Sequence, residues 1–425
     1  MRRKPMRRKA IARATAAITV VLLAVFGAFG GAWAAQPVKI GFSMGLTGAY
    51  SGNGKAALLA IQIWAKDQNA KGGLLGRPVQ LVYYDDQSNP SLVPGIYTKL
   101  FDVDKVDLVV SGYGTNIIAP AMPLVMQHHS VFMGLAGLAV NSQFHYDKYF
   151  QIYPFGPQPQ LDFSQGFFAV AMAMKPQPKT LAISVADSEF PQTAATGARE
   201  WAKRDGLKIV YDQSFPPNTV DFAPILRAIA ATKPDVVYIT CFPPNTVGIV
   251  QGVREIGFKP MLIGGGMVGP QYAFVKQQLG SLLNGFVNYE SYVPEPTVNF
   301  PGIREFLARY QPKAKVTGID SLGYYLPPFA YAEMQILADA IAATHGFDQT
   351  TIAQYIHAHT FKTIVGDVRF DADGEWAEGR VFQVQYQNIK GHGLEQFGRS
   401  GTQVILYPQR YKSGTLQYPL PSSGS

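Results

Sequence analysis

Two successive runs of strand–helix alternation are the feature that most constrains the fold of this sequence. Strands of the first run are predicted at 38–42, 79–83, 106–110 and 131–133. Strands of the second run are predicted at 180–185, 208–211, 235–240 and 260–263. Helices are predicted between them, because apolar residues recur there at helical spacing. Alternating strands and helices are typical of parallel sheets covered on both faces, so the sequence predicts an α/β protein with Rossmann-like lobes.

The size of the chain also favours two lobes. The sequence has 425 residues, and 425 minus a predicted leader of 35 leaves 390. A single hydrophobic core rarely extends beyond about 250–300 residues, so a chain of this size is expected to divide. After the second run, a helix is predicted at 326–344 and further strands at 382–386 and 404–407.

Residues 1–35 are typical of an export signal. Seven basic and no acidic residues precede an apolar run at 18–26, and small residues end the segment at Ala34 and Ala35. This order predicts export to the periplasm by the general route with cleavage near Ala34-Ala35. An N-terminal membrane anchor is the alternative. Lipid attachment is not expected, because no cysteine follows the apolar run.

The charge of the mature chain gives no indication of nucleic-acid binding. The sequence has 37 basic and 29 acidic residues, and removal of the seven basic residues of the leader leaves 30 minus 29, or +1. The sequence pI of about 9.2 therefore reflects the leader. Cys241 is the single cysteine of the sequence, so an intrachain disulfide is excluded.

A glycine-rich stretch at 39–54, KIGFSMGLTGAYSGNG, allows three interpretations. Ser43 lies in a G-x-S-x-G pattern, but a nucleophile elbow needs a tight strand–turn–helix, and none of the seven histidines has a recognisable triad setting. Gly52 to Ala57 fits G-x-G-x-x-A, but a dinucleotide loop follows its strand directly and leads to an acid about 20 residues on. A loop that holds another small molecule by its backbone is the remaining interpretation.

Several short sequence words carry a resemblance to a known family. They are IGFSMGLTG at 40–48, NAKGGLLG at 69–76, YDDQSNP at 84–90, KPDVVY at 233–238 and GDVRFDADG at 366–374. In this order and spacing the chain resembles the branched-chain amino-acid-binding family of periplasmic solute-binding proteins, the type I bilobed receptors of ABC importers.

The resemblance implies an architecture and a function. Two lobes joined by a three-segment hinge are expected, with lobe 1 at 36–153 and 288–363 and lobe 2 at 154–287 and 364–425. The implied protein is a monomeric, non-enzymatic receptor without cofactor or metal. It captures a small solute between the lobes and delivers it to an ABC permease with cytoplasmic ATPases. A ligand-sensing receptor of a regulatory system on the same fold and an exported hydrolase are the alternatives.

The resemblance also implies ligand contacts at the ends of strands. Thr115 matches the hydroxyl residue that meets the ligand carboxylate in the family, and Phe190 and Phe242 match aromatic contacts or are core residues. The expected ligand-binding residues are Asn53, Tyr113, Thr115, Ala136, Gly137, Phe190, Phe242, Gly266, Tyr289 and Tyr324.

One position departs from the family pattern. Amino-acid binders place an acid near the position of Gly266 to pair with the ligand ammonium, and no acid lies between Leu262 and Gln271. A buried unpaired ammonium costs several kcal/mol, by order of magnitude. Either Asp187 or Glu189 supplies the counter-charge for a hydrophobic amino acid, or the ligand is a related aromatic or aliphatic carboxylate or amide.

Overall fold

The computed structural model describes Met1 and residues 36–421. The predicted export signal, apart from Met1, lies outside the described residues. Among the described residues, no helix has the length and apolar character needed to cross a membrane. Helices and strands are numbered below in chain order.

The first sheet has five parallel strands in the order β2-β1-β3-β4-β5. Its strands are β1 Val38–Met44, β2 Val79–Asp85, β3 Leu108–Tyr113, β4 Phe132–Leu135 and β5 Tyr149–Gln151. The helices between them are α1 Ser51–Ala70, α2 Val93–Asp102, α3 Thr115–Gln127 and α4 Asn141–Phe144. Every residue of β3 is buried, as expected for a central parallel strand with helices on both faces.

The second sheet has seven strands in the order β14-β13-β10-β9-β8-β6-β7. Its strands are β6 Thr180–Ala186, β7 Lys208–Phe215, β8 Val236–Cys241, β9 Leu262–Met267, β10 Val287–Glu290, β13 Phe382–Tyr386 and β14 Gln403–Tyr407. Its helices are α5 Pro159–Met172, α6 Glu189–Arg204, α7 Ala223–Ala231, α8 Pro243–Glu255 and α9 Ala273–Leu279. Strand β13 pairs antiparallel with both β10 and β14, and the other five strands pair with one another in parallel.

Three helices and a hairpin from the later part of the chain complete the first lobe. They are α10 Ile303–Thr317, α11 Pro327–Thr344, α12 Gln349–Ala358 and the hairpin of β11 Phe361–Thr363 with β12 Gly366–Val368. Helices α10 and α11 pack against α1, and the hairpin packs against α11. The protein is therefore a two-lobed α/β structure, and the predicted fold class is confirmed.

The parallel cores of the two sheets share one strand order. The sequence β2-β1-β3-β4-β5 of the first sheet has the same order as β7-β6-β8-β9-β10 of the second. In open α/β sheets of this order, ligands bind beyond the carboxyl ends of the strands, where the direction of winding reverses. That point lies between β1 and β3 in the first lobe and between β6 and β8 in the second.

The chain passes between the lobes three times, and two of the crossings differ from the sequence-based boundaries. The predicted boundary at 287/288 cuts β10, whose residues all pair within the second sheet, so the crossing follows Glu290. The predicted boundary at 363/364 precedes a segment that packs on the first lobe. There the Gln151 N–H donates to the Gly374 carbonyl at 2.8 Å, and Trp376 Nε1 donates to the Ile152 carbonyl at 2.8 Å.

Candidate functional site

A cavity of about 380 Å³, including its open mouth, lies between the lobes. Its lining residues follow the carboxyl ends of strands in both sheets or come from the segments that connect the lobes. They are Tyr50, Tyr113, Gly114, Thr115, Asn116, Ala136, Phe155, Phe190, Phe242, Tyr289 and Tyr325. The winding-reversal points of both sheets therefore face one common space between the lobes.

Aromatic rings form most of the cavity wall. Tyr50 of the first lobe faces Phe242 of the second, with ring centroids 5.4 Å apart. Tyr113 meets the edge of Tyr50 at 6.1 Å, and Phe190 lies 6.2 Å from Phe242. Rings from the two lobes are in contact across the cleft, so a flat apolar group in the cavity would touch both lobes.

The amino end of α3 forms a polar pole of the cavity. Gly114 precedes the helix with φ of 90°, a conformation that favours glycine and turns the chain directly into Thr115. Among the hydrogen bonds of residues 36–421, none uses the backbone N–H of Thr115 or Asn116. Two free N–H groups at the positive end of a helix dipole favour an anionic ligand group.

The Thr115 hydroxyl adds a side-chain donor to this pole. Its Oγ1 accepts a hydrogen bond from the Leu138 N–H at 3.0 Å, and the side chain is 3% exposed. Because the oxygen is the acceptor in that bond, its own proton remains available to a ligand. The arrangement can therefore offer three donors, two N–H groups and one O–H group, to one carboxylate.

Three tyrosine hydroxyls form a second polar group beside the cavity. The Tyr325 hydroxyl lies 3.2 Å from that of Tyr113 and 3.4 Å from that of Tyr289. Burial raises the pKa of all three tyrosines well above the ordinary value of 10.0. The hydroxyls are therefore neutral donors and acceptors at physiological pH.

Comparison with known proteins places the chain in a family. A model of the periplasmic binding protein family matches residues 37–392. The chain belongs to the periplasmic binding protein family. Leu/Ile/Val-binding protein homolog 7 of Brucella abortus (strain 2308) is 22% identical over 404 residues, which cover 92% of this chain and 96% of that protein.

Solved structures share the fold of this periplasmic binding protein. The branched-chain amino acid transporter substrate binding protein LivJ of Streptococcus pneumoniae, in complex with isoleucine, superposes with a TM-score of 0.70 at 19% identity and covers 88% of this chain and 100% of its own. An ABC transporter solute binding protein of R. palustris, in complex with benzoate, has a TM-score of 0.69 at 15% identity and covers 90% and 99%. The predicted family is confirmed, and its members form a solute-binding, non-catalytic class that is typically periplasmic.

No charged side chain of the described residues lines the cavity of this periplasmic binding protein. At Gly266, which lies inside strand β9 away from the cavity, a Cβ atom would lie 2.3 Å from Thr240 Cγ2. An acid therefore cannot occupy this position in the present packing. The buried Glu290 carboxylate is already bound by Lys276 Nζ at 3.2 Å and by the Tyr386 hydroxyl at 2.9 Å.

The two acids that the sequence offers as alternative counter-charges lie outside the cavity lining. Asp187 is exposed, and its carboxylate accepts a hydrogen bond from the Gln192 side chain at 3.3 Å. Glu189 begins α6 next to Phe190 and is half-buried, and burial raises the pKa of its carboxyl group. Of the two, only Glu189 stands beside a residue of the cavity wall.

Six of the ten residues expected to contact ligand line the cavity. They are Tyr113, Thr115, Ala136, Phe190, Phe242 and Tyr289. Their roles in ligand binding stay predictions. Asn53, Gly137, Gly266 and Tyr324 lie elsewhere, and the structure adds Tyr50, Gly114, Asn116, Phe155 and Tyr325.

Besides Gly266, the three other predicted residues outside the lining have structural surroundings that explain their positions. Asn53 is buried in the first turn of α1, which begins at Ser51 without a side-chain cap. The Gly137 carbonyl accepts a hydrogen bond from Gln151 Nε2. The Tyr324 ring packs on Tyr292, with centroids 5.3 Å apart, and leaves its neighbour Tyr325 to face the cavity.

Gln151 is a buried residue that organises the loop after β4. Its Oε1 accepts from the Ala136 N–H at 3.1 Å, and its Nε2 donates to the Gly137 carbonyl. Ala136 has a φ of 62°. Because its N–H donates to Gln151, this N–H is not available to a ligand. The Ala136 N–H and the Gly137 carbonyl are thus used in hydrogen bonds within the protein, and the ligand contacts expected at these two residues stay predictions.

The glycine-rich stretch at 39–54 has neither the geometry of a nucleophile elbow nor that of a dinucleotide-binding loop. Ser43 is fully buried in β1, and no hydrogen bond of the described residues joins it to a histidine. Gly54 lies where α1 meets the end of β1, and a Cβ atom there would be 2.0 Å from the Gly45 carbonyl oxygen. The glycine allows this close approach of helix and strand. The stretch supplies Tyr50 to the cavity.

Proposed function

We propose that this protein is the extracytoplasmic receptor of an ABC importer and that it captures a small apolar or aromatic carboxylate. The observation that carries the proposal is the composition of the cavity wall. Aromatic rings surround one pole of free donors at the start of α3, and no charged side chain of the described residues lines the space.

The donor pole suits a carboxylate. Hydrogen bonds from neutral donors to a charged acceptor contribute about 1.5–3 kcal/mol each, more than bonds between neutral groups. The N–H groups of Thr115 and Asn116 and the Thr115 hydroxyl supply these bonds. An amide could accept the same bonds, but it lacks the charge that the helix dipole favours.

The lack of an acid in the lining disfavours an α-amino acid. An ammonium group enclosed by Phe190, Phe242 and Tyr50 would lose its hydration without gaining a carboxylate partner. Glu189 is an acid close to this wall, and its half-buried position beside Phe190 makes it the group to test.

Two solved relatives represent the two ligand classes. LivJ of Streptococcus pneumoniae is in complex with isoleucine, and the R. palustris protein is in complex with benzoate. The aromatic, uncharged lining of the present cavity supports a ligand of the second class. Delivery to an ABC permease with cytoplasmic ATPases, location in the periplasm and a monomeric state are parts of the same proposal.

A thermal-shift experiment tests the proposal. The protein is unfolded in denaturant, freed of any bound solute and refolded before benzoate, phenylacetate, benzamide, leucine and isoleucine are added. A ligand that binds only the native state raises Tm with its concentration. We expect a rise with the two carboxylates and not with the amide. A larger rise with leucine or isoleucine than with benzoate would contradict the proposed ligand class.

A further inference from the structure

The tyrosine hydroxyl cluster of Tyr113, Tyr289 and Tyr325 joins residues from both lobes. Tyr113 ends strand β3 of the first lobe, and Tyr289 lies in strand β10 of the second. Tyr325 precedes α11, and its hydroxyl is the central one of the three. All three residues line the cavity and are at most 7% exposed.

The hydrogen bonds of this cluster are incomplete. Three hydroxyl groups carry three protons, and two mutual contacts use two of them. In the part of the chain that the structure describes, these hydroxyls form no other hydrogen bond. One buried O–H donor is therefore left without an acceptor, although buried donors in proteins nearly always have one.

The two contacts within the cluster are also long. Oxygen–oxygen distances of 3.2 and 3.4 Å exceed the usual hydroxyl–hydroxyl separation of about 2.8 Å. A ligand oxygen between the hydroxyls would accept the remaining proton. If that oxygen belongs to a hydroxyl group, it can donate its own proton to one of the tyrosine oxygens in return.

We infer that the tyrosine hydroxyl cluster binds a hydroxyl substituent of the ligand, and that the ligand class is a hydroxy-substituted aromatic carboxylic acid. The inference rests on the proposed function, because it places the carboxylate at the start of α3. A carboxylate suits the cluster less well, since its two oxygens accept about four hydrogen bonds and the cluster offers one free proton.

Isothermal titration calorimetry with matched ligands and variants tests this inference. The ligands are benzoate, 3-hydroxybenzoate and 4-hydroxybenzoate, added to the refolded, ligand-free protein. The test variant Tyr325→Phe removes the central hydroxyl and keeps the ring. The control variant is Tyr153→Phe, because the Tyr153 ring packs 5.6 Å from Tyr325, while its hydroxyl has no hydrogen-bond partner in the described structure and does not line the cavity.

We expect the better of the two hydroxybenzoates to bind about tenfold more tightly than benzoate. Tyr325→Phe should bring the ratio of the benzoate Kd to the hydroxybenzoate Kd down to about 1, and Tyr153→Phe should keep this ratio at about ten. Equal binding of benzoate and both hydroxybenzoates would overturn the inference alone. Equal weakening of benzoate and hydroxybenzoate by Tyr325→Phe would also overturn it. Failure of every carboxylate to bind would overturn the proposed function as well.

Discussion

At the scale of single residues, Thr115 combines two tasks in one hydroxyl group. Its oxygen holds the loop after β4 through the Leu138 N–H at 3.0 Å, and its proton is left for the cavity. Its backbone N–H belongs to the free first turn of α3, so the residue stands at the centre of the proposed carboxylate pole.

The substitution Thr115→Val tests this pole. Valine keeps the shape of the side chain and removes the hydroxyl, so a bond of about 1.5–3 kcal/mol to a charged acceptor is lost. We expect the Kd for benzoate, measured by calorimetry, to rise about 10- to 100-fold. Thr115→Ser retains the hydroxyl and should stay within about threefold of the wild type. Equal effects of the two substitutions would argue against a hydroxyl contact.

Glu333 is a second residue whose environment makes a measurable prediction. It lies in α11, is fully buried, and neither carboxyl oxygen has a hydrogen-bond partner among the described residues. Burial raises the pKa of this carboxyl group well above the ordinary value of 4.5. The folded chain therefore binds its proton more tightly than the unfolded chain does.

This proton linkage gives a pH dependence of stability. Because the folded-state pKa is raised, the contribution of Glu333 is fully present below pH 4.5 and is lost as the pH rises towards the folded-state pKa. Within that window, the free energy of unfolding should fall by about 1.4 kcal/mol per pH unit relative to Glu333→Gln. Urea unfolding between pH 4 and pH 8 measures the difference. The control Glu305→Gln changes an exposed carboxylate, so its free energy of unfolding should change with pH as that of the wild type does. If the free energy of unfolding of Glu333→Gln also changed with pH as that of the wild type does, the linkage would be refuted.

At the scale of secondary-structure elements, the approach of α1 to β1 shapes the first lobe's side of the cavity. Gly54 in the first turn of α1 lies against the Gly45 carbonyl after β1. Tyr50, the residue before α1, is thereby directed to its contact with Phe242 of the other lobe. The close packing of α1 on β1 therefore determines the position of Tyr50 in the cavity wall.

A pair of glycine substitutions tests this packing. A Cβ at position 54 would lie 2.0 Å from backbone, so Gly54→Ala should lower the free energy of unfolding by about 1–3 kcal/mol. The control Gly95→Ala lies on the exposed side of α2 with no atom within 4 Å, and it should raise stability by up to about 1 kcal/mol. Denaturant unfolding measures both. A neutral Gly54→Ala would show that the helix can shift away without cost.

The sequence predicted those parts of the site that follow regular strands. The predicted strands at 106–110, 180–185 and 235–240 put Thr115, Phe190 and Phe242 shortly after strand ends at one edge, because parallel strands end together, and all three residues line the cavity. Tyr50 and Tyr325 were missed, because they precede helices in segments without periodicity. The sequence alone does not show which lobe β10 and the segment up to Trp376 pack on, because long-range hydrogen bonds decide this.

At the scale of the whole molecule, two sheets with the same strand order present their winding-reversal points to one cavity. A ligand in this cavity would contact both lobes and stabilise the closed arrangement relative to an open one. The size of this stabilisation equals the difference between the binding free energies of the ligand for the closed and the open forms. The chemistry of the shared wall therefore decides which solutes stabilise closure. Among residues 36–421, the side chains of that wall are mostly aromatic and include hydrogen-bond donors but no carboxylate.

The most direct test compares leucine with 4-methylpentanoate, which has the same carbon skeleton and carboxylate but no ammonium group. Calorimetry on the refolded, ligand-free protein gives both dissociation constants. We predict that 4-methylpentanoate binds at least about 100-fold more tightly than leucine, because the ammonium would be buried without a counter-charge. Leucine binding as tight as or tighter than 4-methylpentanoate, with the tight leucine binding abolished in Glu189→Gln, would contradict the account and assign the cavity to an amino acid.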